Sequence, residues 1–207
     1  MKPIIIVNGV PHSYTSGISK FLIDNGGYAK QIRKNPKYNI HYPTYEEQEL
    51  QEFVEKKKKF KDYDLKSYFE ALPADEVIIA KEPLSIFFLD ELKKYTKRKI
   101  KVVFVMRNPE QIILSSMEKG GKSFIYHFNR ISWIYDFMVD CDFELLPFIA
   151  ERIKKDGPRL LEFCELNPNK IDYSSIRKFS KRKPKYFKYR FANFFWKRLS
   201  KFFKVFK

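Results

Sequence analysis

The hydrophobic residues of this chain form two kinds of pattern, short continuous runs and runs that recur every three or four positions. The continuous runs are rich in β-branched residues and predict buried strands, at residues 3–8, 76–80 and 100–106. The periodic runs predict helices, at residues 15–24, 46–61, 84–95 and from about 109 to 120. Residues 124–176 are predicted to be mostly helical. Strands that alternate with helices predict an α/β fold, with a parallel sheet flanked by helices.

The end of the chain has a pattern of its own. Residues 177–207 contain 13 Lys/Arg and no Asp/Glu, which leaves only +3 of the net charge of +16 for residues 1–176 (16 less 13). Apolar residues recur there at helical spacing: Phe187, Phe191, Phe194, Phe195, Leu199, Phe202, Phe203 and Phe206. This predicts an α/β domain over 1–176, followed by a basic C-terminal helix with an aromatic face.

Three roles are open for this basic tail, residues 177–207. An amphipathic basic helix can lie on an anionic membrane surface or hold a polyanionic glycan. It can equally pack its aromatic residues on the body and leave its basic residues in water. The charge would also attract nucleic acid, but no recognition motif supports a specific nucleic-acid partner.

Composition narrows the class of protein. A chain of 207 residues with 44% hydrophobic residues can bury a core as one domain with a tail. Its two cysteines, Cys141 and Cys164, form neither a disulfide framework nor a zinc spacing, which is typical of reduced thiols. The apolar run after Met1-Lys2 is too short for a signal peptide, and no run reaches the ~20 residues of a membrane span. We therefore expect a cytoplasmic protein, with the inner face of the membrane as an option for the tail.

The segment after the first strand, "VNGVPHSYTS", is typical of an anion site. A turn containing glycine that leads into a helix directs backbone N–H groups and the helix dipole at one point. Ser13, Thr15 and Ser16 add hydroxyl groups there. Aligned from Gly9 with the nucleotide P-loop G-x-x-x-x-G-K-[ST], the segment has Tyr14 for the second glycine and Thr15 for the lysine.

That missing lysine disfavours ATP or GTP hydrolysis, because it normally reaches the β- and γ-phosphates. The strand at 100–106 ends in Arg107, where a nucleotide hydrolase would carry a Walker-B aspartate. A donor with a shorter phosphate chain could still bind. The plainer interpretation of the segment is a helix start with Ser/Thr caps.

A second candidate motif follows the strand at 100–106. Arg107 stands at its carboxyl end, where open α/β sheets bind ligands, and Ser115 comes eight residues later. Asn108 can cap the next helix, and Pro109 suits its first turn. An arginine and a serine near one anion would suit a phosphate. The alternative is an arginine that pairs with a carboxylate and an ordinary helical serine.

Together the two motifs resemble those of the sulfotransferase superfamily, which uses 3′-phosphoadenosine-5′-phosphosulfate. The family's first motif is a G-x-P-[RK]-S-G-T-[ST]-like loop, matched here by Gly9, Pro11, His12, Ser13, Tyr14, Thr15 and Ser16. The family's second motif is R-N-P-x-x-x-x-x-S, matched by Arg107 and Ser115. The resemblance implies that the loop cradles the 5′-phosphosulfate and that Arg107 and Ser115 hold the 3′-phosphate.

Weaker similarities and two departures qualify this resemblance. Residues 80–92 resemble the K-[DT]-P segment of bacterial and carbohydrate sulfotransferases, and residues 148–166 are similar to a further family stretch. His12 replaces an Arg/Lys of the family loop and Tyr14 replaces a Gly, which would strain the backbone if that position needs a positive φ. The family's adenine-contacting segment is not found. The resemblance implies a P-loop-like sheet, and an inactive member of the family is an alternative.

Sulfuryl transfer needs a base and a cation, but no metal. Lys81, at the end of the strand 76–80, is the candidate cation for the leaving oxygen. The candidate bases are His41, Glu46 and Glu47, with Glu82 and His127 as further options. The sequence therefore predicts a sulfotransferase that acts on a hydroxyl, with a saccharide or glycolipid as the expected acceptor. The alternatives are a kinase-like nucleotide enzyme and a non-catalytic membrane-surface-binding protein on a decayed sulfotransferase fold.

Overall fold

The structure is a computed structural model, which describes most of residues 1–107 and the segment 142–176. The described residues are 1–9, 13–30, 48–59, 61, 63–82, 85–107, 112 and 142–176. The chain divides into two units, Met1–Ser175 and Ile176–Lys207. The predicted tail helix at 177–207 lies outside the described residues, so the proposed domain boundary stays a prediction.

A parallel sheet forms the centre of the first unit. Its strands are β1 (Ile4–Gly9), β2 (Ile78–Ala80), β3 (Ile100–Met106) and β4 (Glu144–Ile149), in the order β2-β1-β3-β4. β1 pairs in parallel with β2 on one side and with β3 on the other, and β3 pairs in parallel with β4. The predicted α/β fold with a parallel sheet is confirmed, and the carboxyl ends of all four strands meet at one edge.

Helical elements flank this sheet. They are α1 (Thr15–Asp24), α2 (Gln48–Lys58), α3 (Lys66–Glu70), a 3-10 turn (Ser85–Phe88), α4 (Leu89–Lys93), a second 3-10 turn (Ala150–Arg152) and α5 (Ile153–Phe163). The helix predicted at 15–24 is confirmed. The helix predicted at 46–61 is confirmed over Gln48–Lys58 and ends earlier than predicted, while residues 46–47 lie outside the described residues. The helix predicted at 84–95 is a 3-10 turn followed by the short α4. The helix predicted from about 109 to 120 falls outside the described residues, apart from Ile112.

β1, β2 and β3 are buried on both faces, which explains why their sequences are mostly apolar. Ile4 and Ile6 of β1 pack in one cluster with residues of α2, α3 and α4. Ile5 and Val7, which alternate with them, are also fully buried on the opposite face. α1 contacts β1 and β2, and α5 contacts β4, so these two helices cover that second face.

The strand β4 corrects the prediction that residues 124–176 are mostly helical. Its exposed residues alternate with the buried Leu146 and Phe148, as in a strand with one covered face. Pro147 is paired with Phe104 of β3 and lies in the outermost strand of the described sheet. An edge strand tolerates proline because only one of its sides has to donate hydrogen bonds. Within the described residues 142–176, the helical prediction is confirmed for α5, and residues 124–141 lie outside the described residues.

Candidate anion-binding site at the carboxyl edge of the sheet

Four candidate site residues lie at the strand ends of this edge or just beyond them. Gly9 ends β1, Lys81 follows β2, Arg107 follows β3, and Glu151 lies two residues beyond β4. The helix α1 begins at the same edge. Since ligands of open α/β sheets bind at the carboxyl ends of strands, this is where an anion site is expected.

Gly9 and Ser13 form a close-packed cradle between β1, β3 and α1. A Cβ atom on Gly9 would lie 2.5 Å from the carbonyl oxygen of Val105 and 2.6 Å from Ser13 Oγ. Neither distance leaves room for a side chain, so only glycine fits. Ser13 is fully buried, and its Oγ has no hydrogen-bond partner among the described residues. A buried hydroxyl without a partner is costly unless a ligand or water satisfies it.

The amino end of α1 supplies the positive end of a helix dipole next to this hydroxyl. Thr15 is the first residue of the helix and is buried, with its Cγ2 packed towards Gly9. The first turn of α1, which is fully described, contains no acidic side chain to neutralise the dipole. The amino end of this ten-residue helix is therefore a favourable position for an anion.

Tyr14, directly before α1, has a left-handed backbone conformation with φ 80° and ψ 18°. This is the conformation that the glycine of the resembling motif would adopt without strain, so the strain expected from the sequence is present. Its ring lies against the backbone of Gly17, where a Cβ atom would be 2.4 Å from two ring carbons. Burial raises the pKa of the Tyr14 hydroxyl, and the nearby positive charge of Arg107 acts in the opposite direction. Arg107 therefore interacts electrostatically with the Tyr14 hydroxyl.

Arg107 forms an ion pair with Glu151. The distance between Arg107 Nε and Glu151 Oε1 is 3.7 Å, and the two side chains are 23% and 43% exposed. The alternative interpretation of Arg107, that it pairs with a carboxylate, therefore matches a contact in the structure. At this distance and exposure the pair is loose, and such pairs contribute about 0–1 kcal/mol.

Lys81 and Glu82 follow β2 and are both buried, at 3% and 5% exposure. Lys81 is therefore not a solvated lysine at a strand end. The backbone carbonyl of Glu82 accepts hydrogen bonds from Asn8 Nδ2 at 3.2 Å and from Ser85 Oγ at 2.7 Å. Asn8 Oδ1 in turn accepts from the Gly9 N–H at 2.6 Å. These bonds fix the segment after β2 beside the end of β1.

Several predicted site residues fall outside the described part of the chain. They are Pro11, His12, His41, Glu46, Glu47, Ser115 and His127. Gly9, Ser13, Tyr14, Thr15, Ser16, Lys81 and Arg107 are described and lie at the carboxyl edge or in the adjoining start of α1. Within the described ranges no group of three His, Cys, Asp or Glu residues could hold a metal ion. Nor does any helix in those ranges have the length and apolar character needed to cross a membrane.

Sequence reasoning missed Asn8, Ser85 and Glu151. Asn8 could have been found, because a polar residue at the end of an apolar strand is a recognisable signal. Glu151 could not, because residues 144–149 lie in a region predicted to be mostly helical, and the position of Glu151 beside Arg107 depends on β4 pairing with β3.

A concavity of about 560 Å³ lies elsewhere, at the carboxyl end of α1. It is lined by Asp24, Asn25, Asn167, Lys170, Ile171 and Asp172. Because α1 begins at the carboxyl edge of the sheet and Tyr28, shortly after it, pairs with Ile78 at the start of β2, this concavity is near the opposite edge. It is therefore separate from the candidate site.

No protein-family model matches the sequence, and no curated protein matches it. Solved structures similar to the chain include a sulfotransferase from Alicyclobacillus acidocaldarius, at 12% identity and a TM-score of 0.49, over 89% of this chain and 87% of that one. A mouse sulfotransferase complexed with PAP is 14% identical, with a TM-score of 0.46, over 86% of this chain and 62% of that one. A sugar kinase from Janibacter sp. HTCC2649 is 13% identical, with a TM-score of 0.45, over 81% and 97%.

All three are distant likenesses, with TM-scores below 0.5, and they show no function for this chain. The solved structures similar to this chain thus include two sulfotransferases and a sugar kinase.

Proposed function

We propose that this protein is a sulfotransferase that moves a sulfuryl group from 3′-phosphoadenosine-5′-phosphosulfate to an acceptor hydroxyl. The observation that carries the proposal is the buried Oγ of Ser13, which lacks a partner among the described residues at the amino end of α1. An anion there would satisfy the hydroxyl and the helix dipole together. The close packing around Gly9 supports the same location.

The 5′-phosphosulfate would bind to the loop and the first turn of α1. Ser13, Thr15 and Ser16 supply hydroxyl groups, with Pro11 and His12 as further loop residues in the resembling motif. This donor has no γ-phosphate, so a residue in place of the P-loop lysine, here Thr15, is compatible with it. Tyr14 shapes the same turn through its ring contact with Gly17.

The 3′-phosphate would bind to Arg107, with Ser115 as its second ligand in the resembling motif. Arg107 stands at the carboxyl edge directly after β3, which pairs with β1. A guanidinium offers several donors to a phosphate and keeps its charge at any relevant pH. The two phosphate groups of one nucleotide would therefore contact the ends of two adjacent strands.

In the reaction, the acceptor oxygen would attack sulfur while the bond from sulfur to the 5′-phosphate oxygen breaks. The acceptor proton passes to a base, and adenosine 3′,5′-bisphosphate leaves. Lys81 is the candidate for stabilising the leaving oxygen, and its burial would strengthen that interaction. His41, Glu46 and Glu47 stay the predicted bases, with the buried Glu82 as a further option. These steps require positioning and charge stabilisation, and no metal takes part.

The acceptor and the location belong to the same proposal. A saccharide or glycolipid is the proposed acceptor class, from the resemblance of residues 80–92 to carbohydrate sulfotransferases. The basic tail would bring the protein to an anionic membrane surface from the cytoplasmic side.

Calorimetry with two nucleotides tests the donor. We expect adenosine 3′,5′-bisphosphate to bind more tightly than ATP, because the site lacks the lysine for a γ-phosphate. Arg107→Ala should weaken bisphosphate binding by roughly 10- to 100-fold, the usual effect of losing a charged hydrogen bond. Lys97→Ala is the matched control, since it removes one positive charge from an exposed position before β3, at the other edge.

Two results would contradict the proposal. Tighter binding of ATP would favour a kinase-like enzyme, and an unchanged affinity in Arg107→Ala would remove Arg107 from the site. A non-catalytic protein on a decayed sulfotransferase fold is the second candidate, favoured by the strained Tyr14 and by the acidic partner of Arg107. In that case neither nucleotide should bind, while binding to anionic vesicles should persist.

A further inference from the structure

The contact between Arg107 and Glu151 places a carboxylate at the position proposed for a phosphate. Both residues lie just beyond the ends of neighbouring strands, since Met106 is in register with Ile149. The pair is joined through Arg107 Nε at 3.7 Å, which is longer than a hydrogen bond. Glu151 is therefore close enough to act on Arg107 electrostatically without holding it by a directional bond.

The position of Glu151 would allow a phosphate to take its place beside Arg107. Its side chain is 43% exposed, and it lies in the 3-10 turn between β4 and α5. The next residue, Arg152, has an acidic partner of its own, Asp156, at 2.9 Å from its Nε. A phosphate can make shorter, charge-assisted hydrogen bonds to a guanidinium than this carboxylate does. A bound phosphate would then have Glu151 as a neighbour of like charge.

We propose that Glu151 sets the affinity of the site for the 3′-phosphate by competing with it for Arg107. This inference rests on the proposed function, because it assigns the 3′-phosphate to Arg107. In the free protein Glu151 neutralises the arginine, and in the complex it repels the phosphate. Both effects weaken binding, and both are specific to ligands that carry a phosphate at this position. Glu151 is thus a specificity-determining residue of the donor site.

The test measures two ligands on a charge-removing variant. Glu151→Gln should bind adenosine 3′,5′-bisphosphate about fivefold more tightly than the wild type does, the scale of one exposed charge pair. Binding of adenosine 5′-monophosphate, which lacks the 3′-phosphate, should be unchanged. Glu162→Gln is the control, because Glu162 is exposed near the far end of α5 and its loss changes net charge equally.

A double variant identifies the route of the effect. In an Arg107→Ala background, Glu151→Gln should no longer tighten bisphosphate binding, because the residue with which Glu151 competes is absent. Equal tightening of both nucleotides, or none, overturns the inference while leaving the proposed function intact. If the wild type binds neither nucleotide, the proposed function fails and the inference fails with it.

Discussion

Tyr14 combines a strained backbone with a close ring contact, and the two features concern a single turn of the chain. A left-handed conformation costs a residue other than glycine roughly 1–2 kcal/mol. The ring occupies the space above Gly17, so a side chain at either position affects the other. The positive φ of Tyr14 could be anticipated from the glycine in the resembling motif, but the dependence on Gly17 could not, because only the folded turn brings them together.

The first prediction follows from this pair of residues. Gly17→Ala should destabilise the protein, because the new methyl group would meet the Tyr14 ring at 2.4 Å. In a Tyr14→Gly background the same change should stabilise it by up to about 1 kcal/mol, because alanine favours a helix over glycine. Denaturant unfolding of the four proteins measures both effects. The same sign of effect in both backgrounds would show that the ring does not determine the cost.

At the scale of elements, an ion-pair network joins β3, β4 and α5 at the amino edge of the sheet. Lys101 Nζ lies 3.3 Å from Glu144 and 3.0 Å from Glu165, and donates a hydrogen bond to the Phe163 carbonyl at 2.9 Å. Glu165, directly after the C-cap residue Cys164 of α5, has a left-handed conformation with φ 59°. The N–H of the next residue, Leu166, reaches back to the Leu161 carbonyl, which completes the helix end.

This network predicts a specific pH dependence of stability. A hydrogen bond from Lys99 is the main reason that the pKa of Glu144 is below its usual value, and Lys101 adds to it. A carboxyl with a lowered pKa stabilises the fold above its unfolded pKa and loses that effect as pH falls through the folded value. Glu144→Gln should therefore lower stability at neutral pH, by roughly 1 kcal/mol for such a half-exposed group. The difference from the wild type should shrink as pH falls below the unfolded pKa of Glu144 and vanish below its folded pKa.

The same network also affects stability at high pH, through Lys101. Burial alone would lower the pKa of Lys101, but Glu165 and Glu144 outweigh it and raise the pKa. A lysine with a raised pKa stabilises the fold below its unfolded pKa, as long as its carboxylate partners stay charged, and loses the effect as pH rises through the folded pKa. Urea unfolding at a series of pH values measures both limits. A constant gap between wild type and Glu144→Gln down to acidic pH would refute the role of Glu144.

The strand β4 shows at the same scale why one element was predicted wrongly. Its apolar residues and its proline are compatible with several local structures when read in isolation. The strand forms because β3 offers a free edge and because Leu146 and Phe148 can be buried there. By contrast, β1 and β3 are mostly apolar runs that suit a sheet covered on both faces, so their sequence alone identified them.

At the scale of the whole molecule, charge separates the body from the tail. The body carries +3 of the net +16, and the remaining charge stands among the aromatic residues of 177–207. Each basic residue near an anionic membrane contributes about 1 kcal/mol of attraction, and buried aromatic residues add to it. A membrane surface, a polyanionic glycan and the body itself are distinguishable partners for such a tail.

Two matched variants of the full chain separate these partners. One neutralises Lys197, Arg198, Lys201 and Lys204 to Gln, and the other changes Phe194, Phe195, Phe202 and Phe203 to Ser. If the tail binds membranes, both should reduce pelleting with anionic vesicles, the first by on the order of a hundredfold or more. Loss in the charge variant alone would indicate binding to a polyanion. A lowered unfolding temperature in the aromatic variant, without loss of vesicle binding, would show that the tail packs on the body.

The sequence by itself determined the fold class, three of the four described strands, the helix α1 and the two strand ends that carry the candidate motifs. It could do so because buried parallel strands and helix starts are local patterns that need few distant contacts to be recognised. The tertiary structure decided what lies between those motifs. The pairing of β3 with β4 brought Glu151 to Arg107, and Gly9 lies between its β3 neighbour Val105 and the buried hydroxyl of Ser13. These contacts join residues far apart in the chain, and no local pattern records which distant strand will become a neighbour.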